Sequence, residues 1–429
     1  MNTFGHIIKF ERIRQNIKQV QLSDGICTPS YLSKIESNSI VPSEEILGLL
    51  FKRLSLKFNN KDMTEEEYLL KFRDLYFDAL KTKDKEKTTL VLEKLTIEGY
   101  PFSNPSFYYS FLLMYFRLKV LTFYIEEDTL NFISTIAKFS DDFDSYQLFQ
   151  LNTCIGYYHF YKFEYEPTFD AFEKAQDYLK NCNVDNCEVA DFNYLIGLIC
   201  FHQEKLVASK EYMNEALKYY TKEFLYTRAT ECYIIIALIH RRSMNLIEGR
   251  ETLLLAEKLA KLSNVEDYLL PIIYFNLASI YALNKDHLKA TQAYINSMNL
   301  SEDPAVRIRY IYSIVLETSK MNNRDEVIKW SDLGIKIYDT HPSDEIEPYY
   351  FHLKYYQSQS TNSDNIKIPL ESLIKYFAKH NDYRHAYKYS IKLASLLHRE
   401  KKYQKAAKYY SKANSYLSLR EKRKFKEEI

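Results

Sequence analysis

Apolar residues recur at helical spacing along nearly the whole chain. In the first 57 residues, small or apolar side chains fall at intervals that would meet in one small core: Gly5, Ile8, Ile13, Leu22, Ile26, Leu32 and Ile35. Only 8 glycines and 10 prolines interrupt 429 residues, of which 46% are hydrophobic. So few turn-forming residues argue against a β fold. The pattern therefore predicts an all-α protein.

Polar and capping residues in the first 57 positions predict a helix-turn-helix. Gly25 supplies the turn, and Thr28 is a good N-cap with proline at the first helical position after it. The exposed start of the following helix is the part that enters a major groove in such motifs, and Gln19 begins the helix before it. The residues predicted to contact DNA are Gln19, Thr28, Ser30, Tyr31 and Lys34.

This segment resembles the helix-turn-helix of phage-repressor-like transcription regulators. The matching residues are Gln19, Leu22 and the run Ser30-Tyr31-Leu32-Ser33-Lys34-Ile35-Glu36, whereas Ser23 stands where the family has alanine and Asn38 where glycine is commoner. The resemblance implies a structural pair between Arg12 and Glu36, and double-stranded operator DNA as a partner.

Beyond residue 64, small residues mark a repeated helical hairpin. In each unit a small residue is followed by a large one 16 positions later and a small one 19 positions later, as in Gly156, Phe172 and Ala175, and the first four units begin 40–41 residues apart. Gly197, Ala237, Ala278 and Ala394 begin further units, and Val315 begins a weaker one. These offsets are typical of tetratricopeptide repeats, which stack into a right-handed superhelix with a concave face.

Asparagines and arginines within the repeats are candidates for peptide binding. An asparagine side chain both donates and accepts, so it can hold one residue of an extended peptide, and an arginine can bind a carboxylate. Asn152 and Asn193 recur 41 residues apart, and Asn276 lies two positions later in its own unit. Arg241 and Arg242 follow the first helix of their unit. Two alternatives stay open: the asparagines satisfy local backbone groups, and the arginines are simply solvated.

Composition changes suggest four segments. We expect a helix-turn-helix domain over 1–57, a linker over 58–64, a tetratricopeptide-repeat domain over 65–418 and a basic tail over 419–429. The first 57 residues hold 8 Lys and Arg against 5 Asp and Glu, and the remainder holds 50 against 52. That asymmetry fits a small DNA-binding head but does not prove one.

The sequence argues against secretion, membrane insertion and catalysis. Charged residues interrupt the first apolar stretch, no apolar run reaches membrane-spanning length, and the six cysteines form no CxxC pattern. Cys182 and Cys187 are interpreted as loop thiols rather than a redox or metal pair. Phosphate-loop, His-Glu-x-x-His and Gly-x-Ser-x-Gly motifs are absent. We expect a cytoplasmic protein that is not an enzyme, with no catalytic residue, metal or cofactor.

A repressor-like head on tetratricopeptide repeats resembles the RRNPP class of peptide-pheromone receptors of Gram-positive bacteria. The resemblance implies a homodimer or homotetramer that binds a short signalling peptide in its repeats and regulates a promoter. It also leaves two alternatives. The repeats could sequester a phosphorelay response regulator, or the chain could be a prophage decision regulator of similar build.

Overall fold

The computed structural model describes residues 4–56, 64–98, 102–122, 127–262, 266–361 and 366–427. Every regular element in those ranges is a helix, which confirms the predicted all-α class. The chain divides into two compact units, Met1–Ile239 and His240–Ile429.

The first unit begins with the predicted helix-turn-helix. Its helices are α1 (Gly5–Arg14), α2 (Gln19–Ser23), α3 (Pro29–Glu36) and α4 (Glu44–Arg53). The hydroxyls of Thr28 and Ser43 cap α3 and α4 by accepting a backbone N–H in the first turn. Gly25 has a φ of +67°, the left-handed conformation expected at this turn.

Close packing of α1 on α3 explains the glycine at the start of α1. A Cβ on Gly5 would lie 1.9 Å from the carbonyl oxygen of Ile35, so no larger residue fits. The Gly5 amide also donates to the side chain of Asn38 at 3.0 Å. Most of the predicted core residues are fully buried here, including Ile8, Leu22 and Leu32.

The remainder of the first unit consists of longer helices. They are α5 (Glu65–Thr82), α6 (Lys85–Glu98), α7 (Pro105–Leu121), α8 (Glu127–Ala137), a 3-10 turn (Ser140–Asp142), α9 (Ser145–Tyr161), α10 (Tyr165–Leu179), α11 (Asn186–His202), α12 (Leu206–Lys222) and α13 (Tyr226–Arg242), which ends at the boundary of the units. Residues 58–63 of the predicted linker lie outside the described residues, and Thr64 and Glu67 form a capping box at the start of α5.

The second unit continues with helical hairpins. Its helices are α14 (Leu246–Leu262), α15 (Glu266–Leu283), α16 (His287–Asn299), α17 (Pro304–Lys320), α18 (Arg324–Thr340), α19 (Glu347–Ser360), α20 (Lys367–Lys379), α21 (Tyr383–Arg399) and α22 (Tyr403–Glu427). Helix α22 runs through most of the stretch predicted as a basic tail.

Small residues hold the hairpins together as the repeat pattern predicted. A Cβ on Gly156 would lie 2.9 Å from the ring of Phe172, and one on Gly197 would lie 2.8 Å from Met213. In both cases the close neighbour is the large residue 16 positions later. The small residue therefore lets the second helix of each hairpin approach the first.

Each hairpin turn also has the same backbone geometry. Seven residues after the small packing residue, one residue with a side chain adopts a left-handed conformation, with φ between +56° and +62°: Phe163, Glu204, Met244, Lys285, Asn322 and Lys401. Glycine is the usual residue there. The repeats thus form their turns without glycine, which is how so long a helical chain contains only 8 of them.

Candidate functional site

The N-terminal end of α3 is open to solvent. Ser30 and Lys34 are exposed, and Tyr31 is half-buried with its ring against the small core. The Thr28 hydroxyl accepts the backbone N–H of Tyr31 at 3.2 Å, which fixes the first turn. These four predicted DNA contacts therefore lie together on one accessible helix end. That is the surface a major groove would receive.

Gln19 is tied to the end of α3 through Glu36. The Glu36 carboxylate is 3% exposed and accepts Arg12 Nε at 2.6 Å and Arg12 Nη2 at 2.8 Å, which confirms the implied pair. The Gln19 amide nitrogen donates to the same carboxylate at 2.8 Å. Gln19 thus positions α2 against α3, and its role as a DNA contact stays a prediction.

Helix α1 joins the helix-turn-helix to the helices that follow it in the first unit. The Tyr108 hydroxyl on α7 donates to the Glu11 carboxylate at 2.8 Å, and Arg14 donates to the other carboxylate oxygen at 2.6 Å. Phe10 is fully buried, with its ring edge-on to those of Tyr108 and Phe139. The contact uses α1 and leaves the start of α3 exposed.

A buried charge cluster connects the repeat helices of the first unit. We use this name for Arg117 on α7, Glu188 and Asp191 on α11, and Arg228 and Glu231 on α13. Asp191 accepts Arg117 at 2.5 Å and Arg228 at 2.8 Å, and Arg228 also donates to Glu231 at 2.7 Å. The Arg228 side chain has no exposed surface.

Nearby cations keep two acids of this cluster, Asp191 and Glu231, ionised, whereas burial raises the pKa of the third, Glu188. Burial alone would raise the pKa of Asp191, but the guanidinium groups of Arg117 and Arg228 outweigh it and hold that pKa below its usual value. Glu231 behaves in the same way: burial would raise its pKa, but Lys83 and Arg228 lower it. Both groups are therefore carboxylates at neutral pH.

A narrow cavity lies beside the cluster, lined by residues that include Tyr76, Arg117, Gln150 and Glu188. Glu188 accepts three hydrogen bonds, from Tyr146 at 2.6 Å, Tyr76 at 2.8 Å and Gln150 at 3.0 Å. Two buried atoms at this place, Arg117 Nη1 and Gln150 Oε1, have no hydrogen-bond partner. The cavity wall thus offers one donor and one acceptor.

Asn152 and Asn193 lie on a different side of their helices from this cluster. Each is two residues after a cavity or cluster residue, Gln150 and Asp191, and two residues correspond to about 200° around a helix. Asn152 donates to the carbonyl oxygen of Leu148 at 2.8 Å. Asn193 is half-buried and makes no side-chain hydrogen bond to any described residue. Their assignment to a peptide stays a prediction.

In the second unit, Arg241 and Asn276 come together. Arg241 Nη1 donates to Asn276 Oδ1 at 3.3 Å and to Ser279 Oγ at 2.9 Å, while Asn276 Nδ2 donates to the carbonyl oxygen of Ile272 at 2.8 Å. Burial and the neighbouring Arg242 lower the pKa of Arg241. Arg242 is exposed. The two predicted arginines thus differ in exposure, since Arg241 is half-buried and Arg242 is exposed.

Sequence reasoning missed the buried charge cluster, although the repeat pattern contains a signal for it. Gln150, Asp191 and Glu231 each lie six residues before the small packing residue of their hairpin. A polar residue at that one position in three consecutive units marks a shared face of the first helices. Among the described residues, no group of three His, Cys, Asp or Glu side chains could hold a metal ion. None of the described helices is both long and apolar enough to cross a bilayer.

Known proteins support both parts of this description. The helix-turn-helix family profile matches residues 8–59. Over 406 residues the chain is 24% identical to the transcriptional activator NprA of Geobacillus stearothermophilus. The aligned region covers 92% of this chain and 98% of NprA. The fold resembles that of the apo quorum sensor NprR from B. thuringiensis, with a TM-score of 0.67, 18% identity, and coverage of 82% of this chain and 100% of the other. It also resembles apo RapI, with a TM-score of 0.65, 20% identity, and coverage of 83% and 99%.

The chain is similar to NprA over most of its length and shares the fold of apo NprR, in keeping with the resemblance to the RRNPP class. Its helix-turn-helix and helical repeats follow the domain order expected for that class. NprA is named as a transcriptional activator and NprR as a quorum sensor.

Proposed function

We propose that this chain is a peptide-responsive transcription regulator of the RRNPP class, which reads operator DNA with α3 and binds a short signalling peptide among its repeats. We further propose that it acts in the cytoplasm as a homodimer or homotetramer. The observation that carries the proposal is the exposed start of α3 on a head that is docked through α1. The docking supports a physical route by which a change in the repeats reaches the DNA-binding helix.

The predicted DNA contacts suit this role chemically. Lys34 offers an ammonium group for a phosphate or a guanine edge, and Ser30 and Tyr31 offer hydroxyls. The Arg12–Glu36 pair with Gln19 holds α2 and α3 in a fixed relation, so these groups keep one geometry before DNA arrives. Such preorganisation lowers the entropic cost of binding.

Selection from a random pool of 30-bp duplexes by the full-length chain tests the proposal without assuming any operator sequence. We expect enrichment of one sequence, bound with an affinity that falls as salt rises. A Ser30→Ala/Lys34→Ala variant should enrich nothing, whereas Lys52→Ala, an exposed position on α4, should enrich the same sequence. Failure of the wild-type chain to enrich any duplex would contradict the proposal.

The alternative, capture of a phosphorelay response regulator by the repeats, requires a different design. Deleting the head would uncover the aromatic surface around Phe10 and Tyr108, so a deletion variant would be hard to interpret. The Ser30→Ala/Lys34→Ala variant keeps the head in place. A stoichiometric complex with a response regulator that this variant retains, without any DNA selection by the wild type, would favour the alternative.

A further inference from the structure

Helix α5 packs directly against the repeat helices of the first unit. It contacts α7 and α11, and its Tyr76 is 4% exposed. The Tyr76 hydroxyl donates to Glu188 on α11 at 2.8 Å. Lys83, the C-cap residue that follows α5, donates to both oxygens of Glu231 on α13, at 2.7 and 2.9 Å. Two donors, one on α5 and one directly after it, thus reach two carboxylates of the buried charge cluster.

The charge balance of the cluster depends on this helix. Glu231 pairs with two cations, Lys83 and Arg228, while Arg228 and Arg117 both pair with Asp191. Burial raises the pKa of Glu188, the third acid of the cluster. Without Lys83, Glu231 would keep only Arg228, which Asp191 also uses. A buried acid without a compensating donor is strongly unfavourable. Any group that replaces α5 must therefore bring a cation or equivalent donors.

The fit of α5 is incomplete at one place. Arg117 Nη1 and Gln150 Oε1 are both buried beside Tyr76 and have no hydrogen-bond partner. Arg117 is 3% exposed and Gln150 is 4% exposed, so bulk water does not reach these two atoms to replace the missing hydrogen bonds. One donor and one acceptor in the lining of the same cavity match the two polar groups of a peptide unit, whose C=O accepts and whose N–H donates.

We propose that α5 with Lys83 is a built-in competitor that occupies the ligand site of the first unit, and that the ligand is an extended peptide carrying a basic side chain. In this arrangement the basic side chain takes the place of Lys83 at Glu231. A second donor replaces the Tyr76 hydroxyl at Glu188, and one backbone amide pairs with Arg117 and Gln150. The inference rests on the proposed function, because it names the chemistry of the peptide and what the peptide displaces.

The spacing of the two α5 donors suggests the length of the recognised segment. Tyr76 and Lys83 are seven residues apart, or about 10 Å along a helix at 1.5 Å per residue. An extended chain covers the same distance in about three residues at roughly 3.3 Å each. The basic residue and the second donor of the peptide should therefore be about three positions apart.

Substitutions in α5 test the competition. Tyr76→Phe and Lys83→Ala each remove one donor, while Glu188 keeps Tyr146 and Gln150, and Glu231 keeps Arg228. The double variant should therefore still fold, which a thermal melt checks. The matched control is Tyr158→Phe/Lys87→Ala: the Tyr158 hydroxyl has no hydrogen-bond partner, and Lys87 pairs with Asp78 on the surface.

The probes are two fluorescein-labelled heptapeptide mixtures, random except for arginine or glutamate fixed at the fourth position. By fluorescence anisotropy, the arginine mixture should bind the double variant about tenfold more tightly than the wild type or the control, because the open form is more populated. The glutamate mixture should show no such gain. Hydrogen exchange in α5 of the wild type should also accelerate when the arginine mixture is added.

Contrary results separate this inference from the proposed function. Equal binding of the arginine mixture to wild type and double variant, or preference for the glutamate mixture, would overturn the competitor while leaving peptide sensing intact. Binding of neither mixture to any variant would overturn both the competitor and the peptide part of the proposed function. The DNA-binding part of the proposed function would still be tested separately, by the duplex selection with the full-length chain.

Discussion

The hydroxyl of Tyr108 donates to the carboxylate of Glu11 at 2.8 Å, and both side chains are almost fully buried. The two residues are 97 positions apart in sequence, one in the helix-turn-helix and the other in α7. Glu11 also accepts a hydrogen bond from Arg14, so a single carboxylate binds one residue of its own helix and one residue of α7. The head is therefore anchored by a polar contact inside an aromatic surface.

Removing that hydroxyl should weaken the anchor without leaving a cavity. We expect Tyr108→Phe to lower the free energy of unfolding by about 1.5 kcal/mol, the usual effect of losing a hydrogen bond to a charged group. Tyr115→Phe on the same helix is the control, since the Tyr115 ring stacks on Phe111 but its hydroxyl forms no hydrogen bond with the described residues. Urea unfolding followed by circular dichroism measures both. Equal midpoints for the two variants would show that the contact does not stabilise the unit.

Asn152 and Asn193 occupy one repeat position but should respond differently to alanine. Asn152→Ala loses the bond to the carbonyl of Leu148 and should cost about 1 kcal/mol. Asn193→Ala breaks no intramolecular side-chain hydrogen bond among the described residues. Its free energy of unfolding should therefore match that of the wild type within about 0.5 kcal/mol. If Asn193 serves a peptide, only this variant will lose peptide affinity while keeping stability. A large stability loss for Asn193→Ala would place it in the core instead.

The left-handed turn residue Met244 offers a stabilising substitution. Its φ is +61° and its side chain is 64% exposed. Met244→Gly therefore removes the conformational strain of a left-handed residue and loses few packing contacts. We expect the free energy of unfolding to rise by about 1 kcal/mol. Ser243→Gly, one residue earlier, has no left-handed backbone to relieve and should not stabilise. A melting temperature that falls in Met244→Gly would contradict this view of the turns.

Burial of His352 should make stability depend on pH. Burial, with His385, Lys388 and Lys392 nearby, lowers the pKa of His352 to about 3, and its Nδ1 lies 2.6 Å from the Tyr389 hydroxyl. An unfolded histidine has a pKa near 6.5, so the unfolded state takes up the proton first as pH falls. The contribution of His352 is therefore complete above about pH 6.5 and is lost progressively toward pH 3, by at most about 1.4 kcal/mol per pH unit.

Comparison with His352→Gln isolates this effect. Urea unfolding at several pH values between 7 and 4 should give a steeper loss of stability for the wild type than for the variant. Parallel curves for the two proteins would show that His352 is not held neutral in the folded state.

Local signals made the helix-turn-helix predictable in detail. Thr28 caps α3, Gly25 has a positive φ, and the Arg12–Glu36 pair forms, because each depends on a short stretch of sequence or on a known motif. The repeats were predictable from small residues at fixed offsets. Asn152 and Asn193 share a repeat position, yet an equal position shows that two side chains face the same way, not that they face a ligand.

The buried charge cluster was not predictable in the same way. Arg117 and Arg228 meet Asp191 across 74 and 37 residues, and a charged residue in a helix ordinarily indicates solvent. The part played by α5 was also out of reach, because the pairing of Lys83 with Glu231 spans 148 residues. Only the packing of α5 on the repeats brings these groups together.

The affinity of a selected duplex for the full-length chain and for its Tyr31→Ala/Lys34→Ala variant tests the central claim most directly. Measured by fluorescence anisotropy at one fixed salt concentration, the variant should lose about 1–3 kcal/mol for each base contact removed, and less where only phosphate is touched. Glu45→Ala, on the exposed start of α4, should bind as the wild type does. Equal affinity for the wild type and the Tyr31→Ala/Lys34→Ala variant would contradict the account, since α3 would then not be the helix that reads DNA.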